Sequence, residues 1–305
     1  MEQGSARREL AQRLEDSGLG SQRSRYRVFF TRLVREKPLG TIGLAIIVVM
    51  SLMALFADLI APYGFQEQDL SAARLSYSWD HLLGTDQLGR DLFSRIVYGA
   101  RVSLQVGIYS VLITLAGATL LGIVTGYYSG TWIDNGIQRV VDGFMTIPYL
   151  VFLLFVMSIL GPGLLNIVIA LSIEGVLINS RIIRAQVLST KENTYVDAGR
   201  AIGASTPRLM LLYILPNVMA PIIIIGTVSL GLFILAEASI SYLGFGIPPP
   251  FPTWGGMLTR SGLDQFYVAP HLAIWPGFAL SLAVFGFNMF GDALRDLLDP
   301  RLRGT

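Results

Sequence analysis

The chain has 305 residues, of which 52% are hydrophobic and only 14% charged, with mean hydropathy +0.57 and a formal net charge of +2. That balance excludes an ordinary soluble domain of this length and points to a protein that crosses a membrane several times. The absence of cysteine removes disulfides, thiolate metal sites and thiol nucleophiles.

In chain order, residues 1–38 form a basic tail whose second half, Arg25 to Lys37, interleaves Arg27, Arg32 and Arg35 with Tyr26, Phe29, Phe30 and Leu33. This is the pattern of a helix lying on an anionic membrane surface, and no nucleic-acid role is expected because the tail leads straight into an apolar run. Residues 39–61 supply a first span, sufficient for a hydrocarbon core that needs about 20 apolar residues. Residues 62–101 read as an external loop. In it, Asp86 with Arg90 and Asp91 with Arg95 have the i,i+4 spacing of a helix at the membrane boundary.

A core of five spans is expected over residues 102–291. Its apolar runs are Val102–Gly126, Phe144–Leu160, Leu164–Ser180, Val218–Leu243 and His271–Gly291. Between them lie Gly161-Pro162-Gly163 as a tight turn, a polar loop over 189–216 and a second external loop over 244–270; residues 292–305 form a tail. Six spans put both termini on one side. The segments assigned to that side hold 18 of the 23 Lys and Arg residues, so the expected fold is an all-α membrane protein with cytoplasmic N- and C-termini.

The polar loop is the most informative stretch. Thr194 and Asp197 have capping-box spacing, Gly203 suits the left-handed residue that closes a helix, and Ser205-Thr206-Pro207 opens a second helix running toward Pro216. These signals alone leave open a plain helical hairpin or a docking surface. The string Asp197-Ala198-Gly199, then Gly203, then Tyr213-Ile214-Leu215-Pro216 resembles the EAA motif of ABC importer permeases. Asp stands for Glu, Gly for the second Ala, and Tyr where many members have Ile or His. The resemblance implies that Asp197, Ala198, Gly199, Arg200, Gly203, Ala204, Ser205 and Pro216 couple the chain to an ATPase subunit.

A more specific resemblance comes from HLLGTDQLGRDLFSRIVYGARVSL over 81–104, containing Asp86, Gly89, Arg90 and Asp91, which looks like a block of the peptide and nickel branch of these permeases. EASISYLGFG over 237–246, Pro252 to Leu258, and Gly291 to Arg301 are similar to further segments of that branch. The chain is thereby identified as resembling the second permease of dipeptide and oligopeptide importers, the one with the longer N-terminus, from about residue 39 to residue 303.

That resemblance implies the type I importer permease fold and no catalytic activity in this chain. The implied partners are a homologous permease in a heterodimer, two cytoplasmic ABC ATPases and an extracytoplasmic substrate-binding protein, in the cell membrane of a prokaryote. It implies no cofactor on this chain, with ATP and Mg on the ATPases. Peptides are the implied cargo, with nickel chelates, opines or oligosaccharides as alternatives.

The residues agree that ATP is borrowed. A P-loop needs Lys directly before Ser or Thr, and the only lysines, Lys37 and Lys191, precede Pro38 and Glu192. No G-x-S-x-G elbow offers a nucleophile. A stand-alone secondary transporter would be expected to carry internal repeats, and none is evident; a non-transporting scaffold is the remaining alternative. Glu174 and Glu237 are the ionisable residues within spans, where a charge is costly. Glu237 and Glu174 are candidates for the translocation path or gate; a structural carboxyl is an equal alternative for Glu237 and the favoured reading for Glu174. His81 and His271 show no metal-binding spacing, so no metal site is expected.

Overall fold

The computed structural model describes residues 22–259 and 265–298, with side chains from residue 29 onward. Arg7, Arg8 and Arg13 of the basic tail, Arg260, and the closing Asp299-Pro300-Arg301 lie outside the described residues. The described chain is helical, and its only β pairing is an isolated bridge between Thr85 and Asp91.

Helix α1 spans Gln22–Glu36. Its Leu33 is buried while Phe30 and Val34, one turn apart, are exposed. Lys37 breaks the run before α2, Pro38–Leu55, where Pro38 occupies the first turn and costs no hydrogen bond. A one-turn α3, Ala57–Ile60, leads into an irregular external segment. Then come α4, Leu92–Tyr127; α5, Trp132–Met145; α6, Tyr149–Leu160; and α7, Leu164–Lys191. The polar loop holds α8, Thr194–Ala201, and α9, Thr206–Arg208, which continues through a π-turn at Leu209–Ile214 into α10, Leu215–Tyr242. A short α11, Trp254–Met257, and α12, His271–Leu298, complete the chain.

Five helical stretches are long and apolar enough to cross a membrane, and the bent pair α5–α6 is a sixth if taken as one span. Besides α7 and α12, which continue to Lys191 and Leu298 past the expected ends at Ser180 and Gly291, three expected boundaries change. The second span does not begin at Val102: α4 starts at Leu92 and absorbs the residues assigned to an interfacial helix, because Asp91 caps it by accepting a hydrogen bond from the Ser94 amide at 2.7 Å. The third span, expected over Phe144–Leu160, is broken by 93° between α5 and α6. Pro148 disfavours helical backbone at Ile147, and the 12 residues of α6 reach only about 18 Å against a core of about 30 Å. The fifth span starts at Thr206 rather than Val218. Pro216 has no amide hydrogen to donate, and the π-turn just before it, where the Leu215 amide bonds to the Met210 carbonyl, accommodates that gap within a continuing helix.

The helices pack through small residues, as membrane helices do when lipid offers no hydrophobic drive toward association. On α4, side chains at Gly117, Gly122 and Gly126 would strike Val176, Ile183 and Val187 of α7. Gly40 and Gly43 let α2 lie against Ala293 and Gly286 of α12, and Lys37 closes that pair with a 2.5 Å ion pair to Asp296. The apolar core divides into clusters, one of which gathers Ile183, Val187, Val196, Leu209, Ile214 and Val218 beneath the polar loop.

Candidate functional site: the polar loop and the opposite cavities

The loop between α7 and α10 is held at the C-terminal end of α4. Lys191 Nζ donates to the Gly126 carbonyl at 3.1 Å and to Ser129 Oγ at 2.5 Å, and the Arg200 guanidinium lies 5.9 Å from the centre of the Tyr127 ring. A cation at a helix C-terminus is favoured by the unpaired carbonyls there. Below it, Arg184 of α7 grips Asp134 of α5 with two bonds, Nε to Oδ1 at 2.8 Å and Nη2 to Oδ2 at 2.7 Å. Asp134 Oδ2 also accepts from the Gly130 amide at 3.0 Å, so one buried carboxylate joins a turn and two helices.

Within the loop, Val196 and Gly199 face inward. Asp197, Ala198, Arg200, Gly203, Ser205 and Pro216 are exposed, and Ala204 is half-buried. Ile202 is 79% exposed among them, an apolar side chain on a polar surface. Gly203 adopts φ +78°, the left-handed closure that its position required. The capping box does not form. Asn193, not Thr194, precedes the helix, and no side chain caps it; Asn193 Nδ2 donates back to the Thr190 carbonyl at 2.9 Å, and Asp197 pairs with Arg200 at 2.8 Å. Asp197 thus stands in an i,i+3 ion pair on the exposed face.

At the other end of the bundle, the 81–91 segment is a locked turn. Asp86 Oδ1 accepts from the amides of Leu88 at 2.9 Å and Arg90 at 3.0 Å, while Oδ2 takes the Arg90 guanidinium at 2.6 Å. The expected Asp91–Arg95 pair is absent. Asp91 caps α4 and meets His81 at 3.0 Å, whereas Arg95 lies 3.6 Å from Asp86 and donates to the Phe65 carbonyl at 3.1 Å. Gly89, at φ +70°, touches the Asp69 backbone so closely that no side chain fits. His271 Nε2 approaches the Thr85 carbonyl at 3.2 Å, so both histidines are anchors of this turn. Among the described residues, no group of three or more His, Asp or Glu is placed to hold a metal ion.

Trp254 of α11 is fully buried on Gly99, and its indole donates to the Ile96 carbonyl at 3.1 Å. Beside it opens a cavity of about 760 Å³ bordered by Gln87, Arg90, Arg95, Ser241, Phe251 and Thr259. A neighbouring cavity of about 560 Å³ is edged by Asp58, Tyr98 and Arg101. There the Arg101 guanidinium and the Tyr98 hydroxyl hold the Asp58 carboxyl below the ordinary carboxylate range.

The two span carboxyls lie in different surroundings. Glu237 is 0% exposed, accepts from Ser241 Oγ at 2.6 Å and borders none of these cavities. Glu174 instead lines a cavity of about 250 Å³ at the α5–α6 bend. Sequence reasoning missed the Asp134–Arg184 clasp and the Lys191–Ser129 contact. The only local sign was an acidic residue in the first turn of α5, which is common at helix starts.

Residues 118–304 match the family described as the binding-protein-dependent transport system inner membrane component. Residues 24–78 match the N-terminal TM domain of oligopeptide transport permease C, so the similarity reaches into the basic segment before residue 39. A dipeptide transport system permease protein of Alkalihalophilus pseudofirmus is 42% identical over 281 residues, covering 92% of this chain and 91% of its own. Glutathione transport system permease proteins of Pectobacterium atrosepticum and Escherichia coli are 37% and 38% identical, with coverage of 93% and 90% of each chain.

Proposed function

Because the chain belongs to the family of binding-protein-dependent transport system inner membrane components, multi-pass subunits that work with an ATPase and a binding protein, we propose that it is the second permease of an ATP-driven peptide importer. Its termini and polar loop face the cytoplasm of a prokaryotic cell, and the Arg90–Arg95 cavity faces outward. A homologous permease packs against it, two ATPases sit below, and ATP and Mg bind on those ATPases. Peptide cargo is supported by the dipeptide and glutathione permeases among its relatives.

The observation that carries the reading is the construction of the loop. Its exposed face, Asp197, Ala198, Arg200, Ile202 and Gly203, stands on a buried base of Val196 and Gly199 that is fixed to α4 through Lys191 and Arg200 and that packs on Leu209 and Tyr213 of the helical run from Thr206 into α10. A push on that face moves α10 as a unit, which is what alternating access requires of a coupling element. ATP closure of the ATPases shifts the equilibrium only through contacts that differ between the two states.

The test is purification of the tagged chain from its native membrane, with ATP hydrolysis measured for wild type and Gly203→Asp. Gly203 has no neighbour within 4 Å of a side chain placed there, so the substitution leaves the fold intact apart from about 1–2 kcal/mol of left-handed strain. Co-purification of a second permease and ATPases, with hydrolysis or assembly lost in the variant, is expected. A chain that purifies alone and transports in liposomes without ATP overturns the reading.

A further inference from the structure

Glu174 sits ten residues into α7, about 15 Å from its start and so near the middle of a core of about 30 Å. It is 8% exposed, its Oε2 is buried without a hydrogen-bond partner, and no ion pair reaches the carboxyl from any described residue. Arg181, two turns further along α7, is already paired with Asp142 at 3.0 Å. An intramembrane carboxyl left without a protein partner is costly, and such groups mark substrate or ion pathways.

The carboxyl lines the cavity where α5 ends and α6 begins, beside Phe144, Tyr149, Phe152 and Ile178. The C-terminal end of one helix and the N-terminal end of the next border the same space, so their macrodipoles offset and Glu174 is the acidic side chain that lines it. The walls are otherwise apolar and aromatic, which favours a cation carried on a small organic body over a hydrated inorganic ion. The adjoining surface of α5 and α6, with Val140, Phe144, Val151, Phe155 and Ile159 exposed, is apolar and uncovered in the single chain.

We propose that Glu174 and the α5–α6 bend form a subsite on the translocation path that receives the protonated amino group of the cargo. The proposal rests on the peptide-importer reading and adds a recognition point to it. The ammonium supplies the donors that the carboxyl lacks, and the aromatic walls cover the adjoining carbon atoms. A carboxylate end is repelled, so the site orients a peptide with its amino end toward the bend.

The experiment uses the whole complex with its binding protein in proteoliposomes, and dialanine as cargo. Uptake and binding-protein-stimulated ATP hydrolysis are measured for wild type, Glu174→Gln and Glu174→Asp. Loss of one charge-assisted hydrogen bond is expected to slow uptake about tenfold in Glu174→Gln, with hydrolysis retained and Asp restoring part of the rate.

A second measurement needs no variant. The wild-type complex, arrested with a non-hydrolysable ATP analogue, is treated with a membrane-permeable carbodiimide. This activates the carboxyl, and an amine in contact with it displaces the urea to form an amide. A dialanine adduct on Glu174, absent with N-acetyl-dialanine, is expected. Wild-type uptake in Glu174→Gln overturns the proposal, as does an adduct joining Glu174 to a lysine of the second permease. So does a preparation that transports dialanine before arrest and gives no adduct after it. Absence of any ATP-dependent uptake by the wild-type complex strikes the importer reading itself and removes this proposal with it.

Discussion

The ring of Tyr213 fills the space that a side chain at Gly199 would need. A methyl group at position 199 would stand 3.0 Å from Tyr213 Cε1 and 2.9 Å from Leu209 Cδ2. The Gly and the Tyr, each a departure from the resembled motif, are two halves of one packing solution between α8 and the π-turn.

Gly199→Ala therefore overpacks the loop, at about 1–3 kcal/mol, and Tyr213→Ile in the same chain relieves it. A double-mutant cycle on thermal unfolding of the detergent-solubilised complex should give a coupling of about 0.5–3 kcal/mol. Simple additivity of the two substitutions would show that the contact does not govern the loop.

Removing Arg184 leaves the Asp134 carboxylate, 3% exposed at its side chain, without its cation. Arg184→Ala is expected to cost about 3–5 kcal/mol, whereas Asp134→Asn with Arg184→Gln costs less because no unpaired charge remains. Yield and midpoint of unfolding of the three proteins check the order; equal losses would mean that shape, not charge pairing, holds α5 to α7.

The outer turn separates two aspartates with different duties. Asp86→Ala deletes four interactions at one carboxylate and leaves Arg90 and Arg95 facing each other, a loss of about 3–5 kcal/mol. Asp91→Ala removes an N-cap, typically about 1 kcal/mol, together with the His81 contact. Limited proteolysis of the outer segment should reveal the first variant as much the more labile; the reverse order would contradict the assigned contacts.

Glu237→Gln is expected to assemble and transport like wild type, since the amide can keep the Ser241 hydrogen bond in the same enclosed site. Glu237→Leu, which leaves Ser241 without its acceptor, should instead lower stability. A strong fall in uptake by the Gln variant with assembly intact would return Glu237 to the path.

The amino-acid sequence by itself determined the membrane class, the positions of most spans and the position of the polar loop. Hydrocarbon demands long apolar runs with internally satisfied backbones, and such runs are visible residue by residue. It also determined the left-handed turn at Gly203, because that conformation is a local property. Only the tertiary structure decided the rest. Hydropathy over Phe144–Leu160 carries no direction, so the 93° break at Pro148 was hidden in an apolar run. The Asp134–Arg184 clasp joins residues 50 positions apart, beyond any spacing rule. Glu174 and Glu237 are chemically alike along the chain. One faces a cavity and the other is sealed because neighbouring helices bend away from the first and close over the second.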